Sequence, residues 1–243
     1  MSVALAADTL FVLSARILHV RRREMARTGM VALLAIVVGW GMSNGFNVTQ
    51  AVFLTRAGVG SLPVFFIYLA LTVWPMLALR GMITGRYGVG RSLGRILLVN
   101  VALALLLFLA YLESETPTVA LVAALACSVC FELVMLLFWE FVSEHFNLLE
   151  GKRIFPVIAA GISLGYILSG VTVALVASLW STERLMLAWA AGAAVSALLV
   201  FRIDSYLRHT TIEHEEGEHP EEKVAPTFGR ALRSFGGALT TLF

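Results

Sequence analysis

The sequence predicts an all-α, polytopic membrane protein with six transmembrane helices, and three observations carry that expectation. The 243-residue chain is 59% hydrophobic and 14% charged, with a mean hydropathy of +0.86, whereas soluble domains average about 45–50% apolar and about 25% charged residues. Six apolar stretches reach the about 20 residues that a helix needs to cross a bilayer, at 30–55, 61–80, 93–112, 118–143, 154–179 and 185–203. Of the 18 Lys and Arg residues, all but Arg56 and Arg184 fall on one side of these stretches. The positive-inside rule therefore predicts that both termini are cytoplasmic.

Taken in order, residues 1–28 form a basic N-terminal segment. Leu10, Leu13, Ile17 and Val20 recur at helical spacing, which predicts an amphipathic helix lying on the membrane. A signal peptide would carry its charge before the apolar run, but Arg21, Arg22 and Arg23 follow it, and Asp8 and Arg16 interrupt it. Residues 29–205 hold the six predicted spans, joined by short connections. From 206 to 227 the chain turns acidic, with HTTIEHEEGEHPEEKVAP at 209–226, too polar to bury a core and hence a cytoplasmic linker. His209, His214 and His219 recur among its glutamates, yet nothing rigid holds them in a coordination geometry, so no metal site is expected. Residues 228–243 regain helical spacing at Phe228, Leu232, Phe235 and Leu239. This segment is either a surface helix, suited to a cytoplasmic partner, or the beginning of a seventh span.

Little in the sequence points to catalysis. There is no metal-ligand set, nucleophile motif or phosphate loop, and no cofactor is expected. Cys127 and Cys130 lie three positions apart in an apolar helix, where packing is favoured over redox or metal chemistry. The net charge of +2 reflects basic residues at helix ends and gives no reason to expect a nucleic-acid partner.

Polar residues inside the apolar zone concentrate on two spans. Ser43, Asn44, Asn47 and Gln50 lie on the first, and Glu132 and Glu140 on the fourth, which makes these six the candidates for lining a transport cavity. The third span has Asn100 and the sixth little beyond Ser196. Counting about 1.5 Å per residue from Thr118 puts Glu132 roughly 21 Å into a core of about 30 Å. An ionisable group at that depth must face a partner or water. It is either a proton-coupling or substrate-contacting residue, or a glutamate hydrogen-bonded to a neighbouring helix. Glu140 and Glu144 stand one turn apart toward the cytoplasmic interface. Small residues four apart let helices approach closely, so Gly41, Gly45, Gly161, Gly165 and, further along, Gly170 are expected at helix contacts.

The turns carry a resemblance to known families. GMITGRYGVGR at 81–91 resembles the G-x-x-x-D-R-x-G-R-R signature of the major facilitator superfamily, with Gly81, Arg86 and Gly88 in register and Arg91 just beyond. Gly85 replaces the acidic residue, and Val89 and Gly90 the basic pair, so the resemblance implies no charge relay here. Phe138-Trp139, Gly151-Lys152-Arg153, Pro156 and the spaced glycines Gly161, Gly165 and Gly170 resemble the ATP/ADP carrier-type nucleotide (NTP/NDP) exchange transporters of that superfamily. The similarity covers residues 130–170, with 24–112 alike only in layout. It implies that the chain is the N-terminal six-helix half of a facilitator-type bundle. The first and fourth helices of such a half line the cavity, whereas the third and sixth face lipid. The expected location is a bacterial inner (plasma) membrane.

Two functions remain open. One is a transporter half that moves a small solute by alternating access against a second six-helix half, a homodimer partner or another membrane subunit. The other is a non-transporting membrane scaffold or accessory subunit of the same fold. Nucleotide phosphates need Lys or Arg in the cavity, and none occurs between Met30 and Thr55, Ser61 and Leu79, Ile96 and Gly151, or Leu185 and Phe201.

Overall fold

The computed structural model of the protein describes residues 22–146, 148–179 and 181–215. All regular structure among them is helical: α1 (Arg22–Ala57), α2 (Leu62–Tyr87), α3 (Val89–Glu113), α4 (Pro117–His145), α5 (Leu148–Leu179) and α6 (Leu185–Glu215), with single 3-10 turns at Val59–Ser61 and Thr182–Arg184. Among the described residues, six helices are long and apolar enough to cross a membrane. Each helix satisfies its own backbone hydrogen bonds, which is why such segments suit a solvent that offers none. The chain divides into two compact units, 1–207 and 208–243. The expected N-terminal surface helix, His219 and the 228–243 segment lie outside the described residues.

The connections are short and their contacts fix the direction of each helix. At one end, Arg56 of α1 donates to the Ser114 carbonyl after α3 at 2.7 Å and lies 3.9 Å from Glu183 before α6. At the other, the Arg27 guanidinium sits 4.4 Å above the Phe146 ring after α4, and Arg80 of α2 meets Glu140 of α4. Successive helices therefore alternate in direction. One residue, Gly88, separates α2 from α3. Its φ of +77° and ψ of 163° lie in a region that essentially only glycine occupies.

Helix α1 is the centre of the bundle, packed most extensively on α5 and then on α4, which also contacts α2 and α3. Val31, Leu34, Ala35, Val38, Met42, Val48 and Val52 form its buried stripe, at the three- and four-residue spacing of one broad helix face. Glycines set how closely its neighbours approach. A Cβ on Gly165 would stand 2.7 Å from the Trp40 nitrogen, and one on Gly41 would stand 2.9 Å from Gly192 of α6. Gly45 lies under the Trp189 ring, which is fully enclosed. Gly161 sits against the Ala32 carbonyl. Gly41, Gly45, Gly161 and Gly165 thus occupy helix contacts.

Three expectations are corrected. Gly170 is not a packing glycine: a Cβ there would meet nothing within 4 Å. Five residues past Gly165, it has rotated about 140° away from the contact face. Helix α6 does not only face outward; half of its most apolar window is buried, as for α1, whereas only 6% of the corresponding α2 window is. Leu185, Met186, Trp189, Ala193, Ala197 and Val200 give α6 an inward stripe, and α2 instead exposes Phe66, Leu71 and Trp74. Finally, residues 206–215, expected in the linker, continue α6 as helix through Glu215.

Candidate functional site

The polar residues of α1 mostly meet other helices. The Trp40 indole nitrogen donates to Thr172 Oγ1 of α5 at 2.8 Å. Asn47 Nδ2 lies 3.3 Å from both Ser43 Oγ on its own helix and Ser169 Oγ of α5. Gln50 Nε2 donates to Ser128 Oγ of α4 at 3.3 Å. A layer of side-chain hydrogen bonds therefore ties α1 to α5 and α4 at mid-helix, where an apolar surrounding makes an unpaired amide costly. Asn44 is fully enclosed and donates to the Trp40 carbonyl one turn back at 2.8 Å. Ser43, Asn47 and Gln50 remain partly exposed, so of the four α1 candidates only Asn44 is shut away from any open surface.

Glu140 is half of an ion pair. Arg80 approaches it with two nitrogens, Nη2 to Oε1 at 2.7 Å and Nε to Oε2 at 3.0 Å, the parallel two-bond geometry that a planar guanidinium favours with a carboxylate. Both side chains are about one-third to one-quarter exposed. The carboxylate is committed to holding α2 on α4.

Glu132 is different. It is exposed, and among the described residues it has no hydrogen-bond or salt-bridge partner. Phe131, its neighbour in the chain, stacks on Tyr166 of α5. Beside it runs a row of rings from three helices. Phe46 of α1 and Phe131 of α4 have centroids 5.6 Å apart, and Phe131 and Tyr166 are stacked at 6.4 Å. Phe46 and Tyr166 are each 39% exposed. All stand near the middle of their helices, Glu132 roughly 22 Å from the Pro117 end of α4 at about 1.5 Å per residue.

The turn residues divide by role. Gly88 makes the α2–α3 turn, and Ser92 Oγ reaches the Gly88 carbonyl at 2.5 Å and that of Ile83 at 3.2 Å. Gly81, Arg86 and Arg91 are exposed, Lys152 is exposed and Arg153 partly so. Arg95 stacks on Tyr87 at 3.7 Å, and Arg86 lies 5.4 Å from the same ring. The carboxylate of Asp204 on α6, 6% exposed, packs directly on Gly90 in the first turn of α3. Negative charge is favoured there because the helix presents unpaired N–H groups.

The sequence reading missed Arg80, Asp204, Tyr166 and Gly192 as structural partners. Arg80 carried a signal, since it and Glu140 fall at matching depths on spans of the same direction. Asp204 carried one too, as the first acid after the sixth span. Tyr166 and Gly192 had none, because their importance arises from what crosses them. Cys127 is buried and Cys130 partly buried, both free thiols. No cluster of three metal-ligating side chains occurs among the described residues. Comparison with known proteins returns no match: no protein family, curated protein or solved structure is similar to the chain.

Proposed function

We propose that the chain is one six-helix half of a facilitator-type transporter, set in a bacterial inner membrane with both termini cytoplasmic, moving a small solute by alternating access against a second half. The observation that carries this reading is the exposed Glu132 at the middle of α4. A carboxylate at that depth costs about 2.5–3.5 kcal/mol even on insertion scales. It is retained where a second protein body or a water-filled cavity meets it, and the partly exposed Ser43, Asn47 and Gln50 extend the same polar zone onto α1. The resemblance of 130–170 to nucleotide exchange transporters supports the class of protein. The lack of cations in the spans speaks against nucleotides as the cargo.

A specific observation favours the second reading, a non-transporting subunit of the same fold. The mid-helix amides of Asn47 and Gln50 are engaged with neighbouring helices, as expected of a bundle built to persist rather than to rearrange. Reconstitution in liposomes separates the two. Uptake of nucleotide, phosphate or protons that disappears in Glu132→Gln supports the transporter half. No flux of any of them supports the accessory subunit.

A further inference from the structure

We propose that Glu132 and the ring row Phe46–Phe131–Tyr166 form a binding site for a small organic cation, such as a quaternary ammonium or a lipophilic phosphonium. The inference rests on the transporter reading and gives it a substrate class. Three facts converge on it. Glu132 is an exposed carboxylate at mid-helix with no hydrogen-bond or salt-bridge partner among the described residues. The rings beside it come from α1, α4 and α5, with centroid spacings of 5.6 and 6.4 Å, and two of them are 39% exposed. They offer a π-rich, apolar platform next to a negative charge, the two features that select an organic cation over a small hydrated one.

The third fact concerns where the counter-charge can originate. No Lys or Arg occurs in 30–55, 61–79, 96–151, 154–183 or 185–201. A second copy of this chain therefore has no cation at the depth of Glu132, and a homodimer would bring two carboxylates to the same layer. In this proposal the solute supplies the positive charge. An anionic cargo is disfavoured by the same absence, since nothing at that depth neutralises a phosphate.

The site predicts charge-selective binding. Tetraphenylphosphonium and tetraphenylborate have nearly the same size and shape and opposite charge. Equilibrium dialysis of the purified full chain in lipid nanodiscs, with empty nanodiscs as blank, is expected to show saturable binding of the phosphonium only. Glu132→Gln should weaken it about tenfold or more, and Glu132→Asp should recover most of the loss. Tyr166→Phe should bind like wild type, and Tyr166→Ala several-fold more weakly. Because residue 132 is exposed, the variants are expected to keep the wild-type size-exclusion profile and melting temperature. Equal phosphonium binding by Glu132→Gln, or equal binding of the borate by the wild type, overturns the proposal. Glu132-dependent binding without flux in liposomes would leave the cation site standing and remove transport. Flux of a neutral or anionic solute without phosphonium binding would do the reverse.

Discussion

Arg80 and Glu140 join α2 to α4 through two parallel hydrogen bonds of 2.7 and 3.0 Å. This pair matters because α2 is otherwise the least embedded helix, with 6% of its most apolar window buried. Deleting either charge should loosen α2. Arg80→Gln and Glu140→Gln are each expected to lower stability, with a coupling of about 1 kcal/mol in a double-mutant cycle. Thermal unfolding in detergent measures it, and the swapped pair Arg80→Glu/Glu140→Arg should recover part of the loss.

The glycines of α5 should separate by face. Gly165→Ala pushes a methyl to 2.7 Å from the Trp40 backbone nitrogen and should cost about 1–3 kcal/mol by overpacking. Gly170→Ala meets open space and should be neutral or stabilising by up to about 1 kcal/mol, since alanine gives up less entropy in a helix. Equal effects on the melting temperature would contradict the α1–α5 contact.

Gly88 and Gly81 offer a similar contrast at the α2–α3 turn. With φ of +77° and ψ of 163°, Gly88→Ala should cost about 1–3 kcal/mol in backbone strain. Gly81 is within α2 and a Cβ there meets nothing within 4 Å, so Gly81→Ala should be tolerated. Limited proteolysis of the turn should accelerate only in the Gly88 variant.

Asp204 is expected to stabilise the start of α3 from α6. Its carboxylate rests on Gly90 with 6% exposure, where the charge favours the unpaired N–H groups of the first turn. Asp204→Asn should lower stability by about 0.5–2 kcal/mol, and Gly90→Ala should cost at least as much by displacing the carboxylate. Hydrogen exchange should rise first at the Val89 end of α3. A uniform rise across the bundle would count against a local role.

How much was legible in advance follows from which interactions are local. The apolar runs located all six helices, and their charged ends marked the turns, because a helix closes its own hydrogen bonds and the bilayer requirement acts on each segment separately. The packing role of Gly161 and Gly165 was legible from spacing. That of Gly170 was misjudged because a count of small residues ignores which face the last one occupies. Asn47 and Gln50 were recognisable as buried-zone polar groups, but not as partners of Ser169 and Ser128.

What the sequence determined by itself is the all-helical class, the number of membrane-capable helices and the concentration of polar groups on α1 and α4. Only the tertiary structure decided that α6 is as buried as α1 and α2 the least buried, that Glu140 is bound to Arg80, and that Glu132 is left exposed beside three rings. Periodicity says which face of a helix is apolar, whereas the identity of the helix that covers it depends on how all six pack at once. The two glutamates of α4 show the difference: both stand in one apolar run of the sequence, and their fates diverge once a neighbouring helix supplies a cation to one and not to the other.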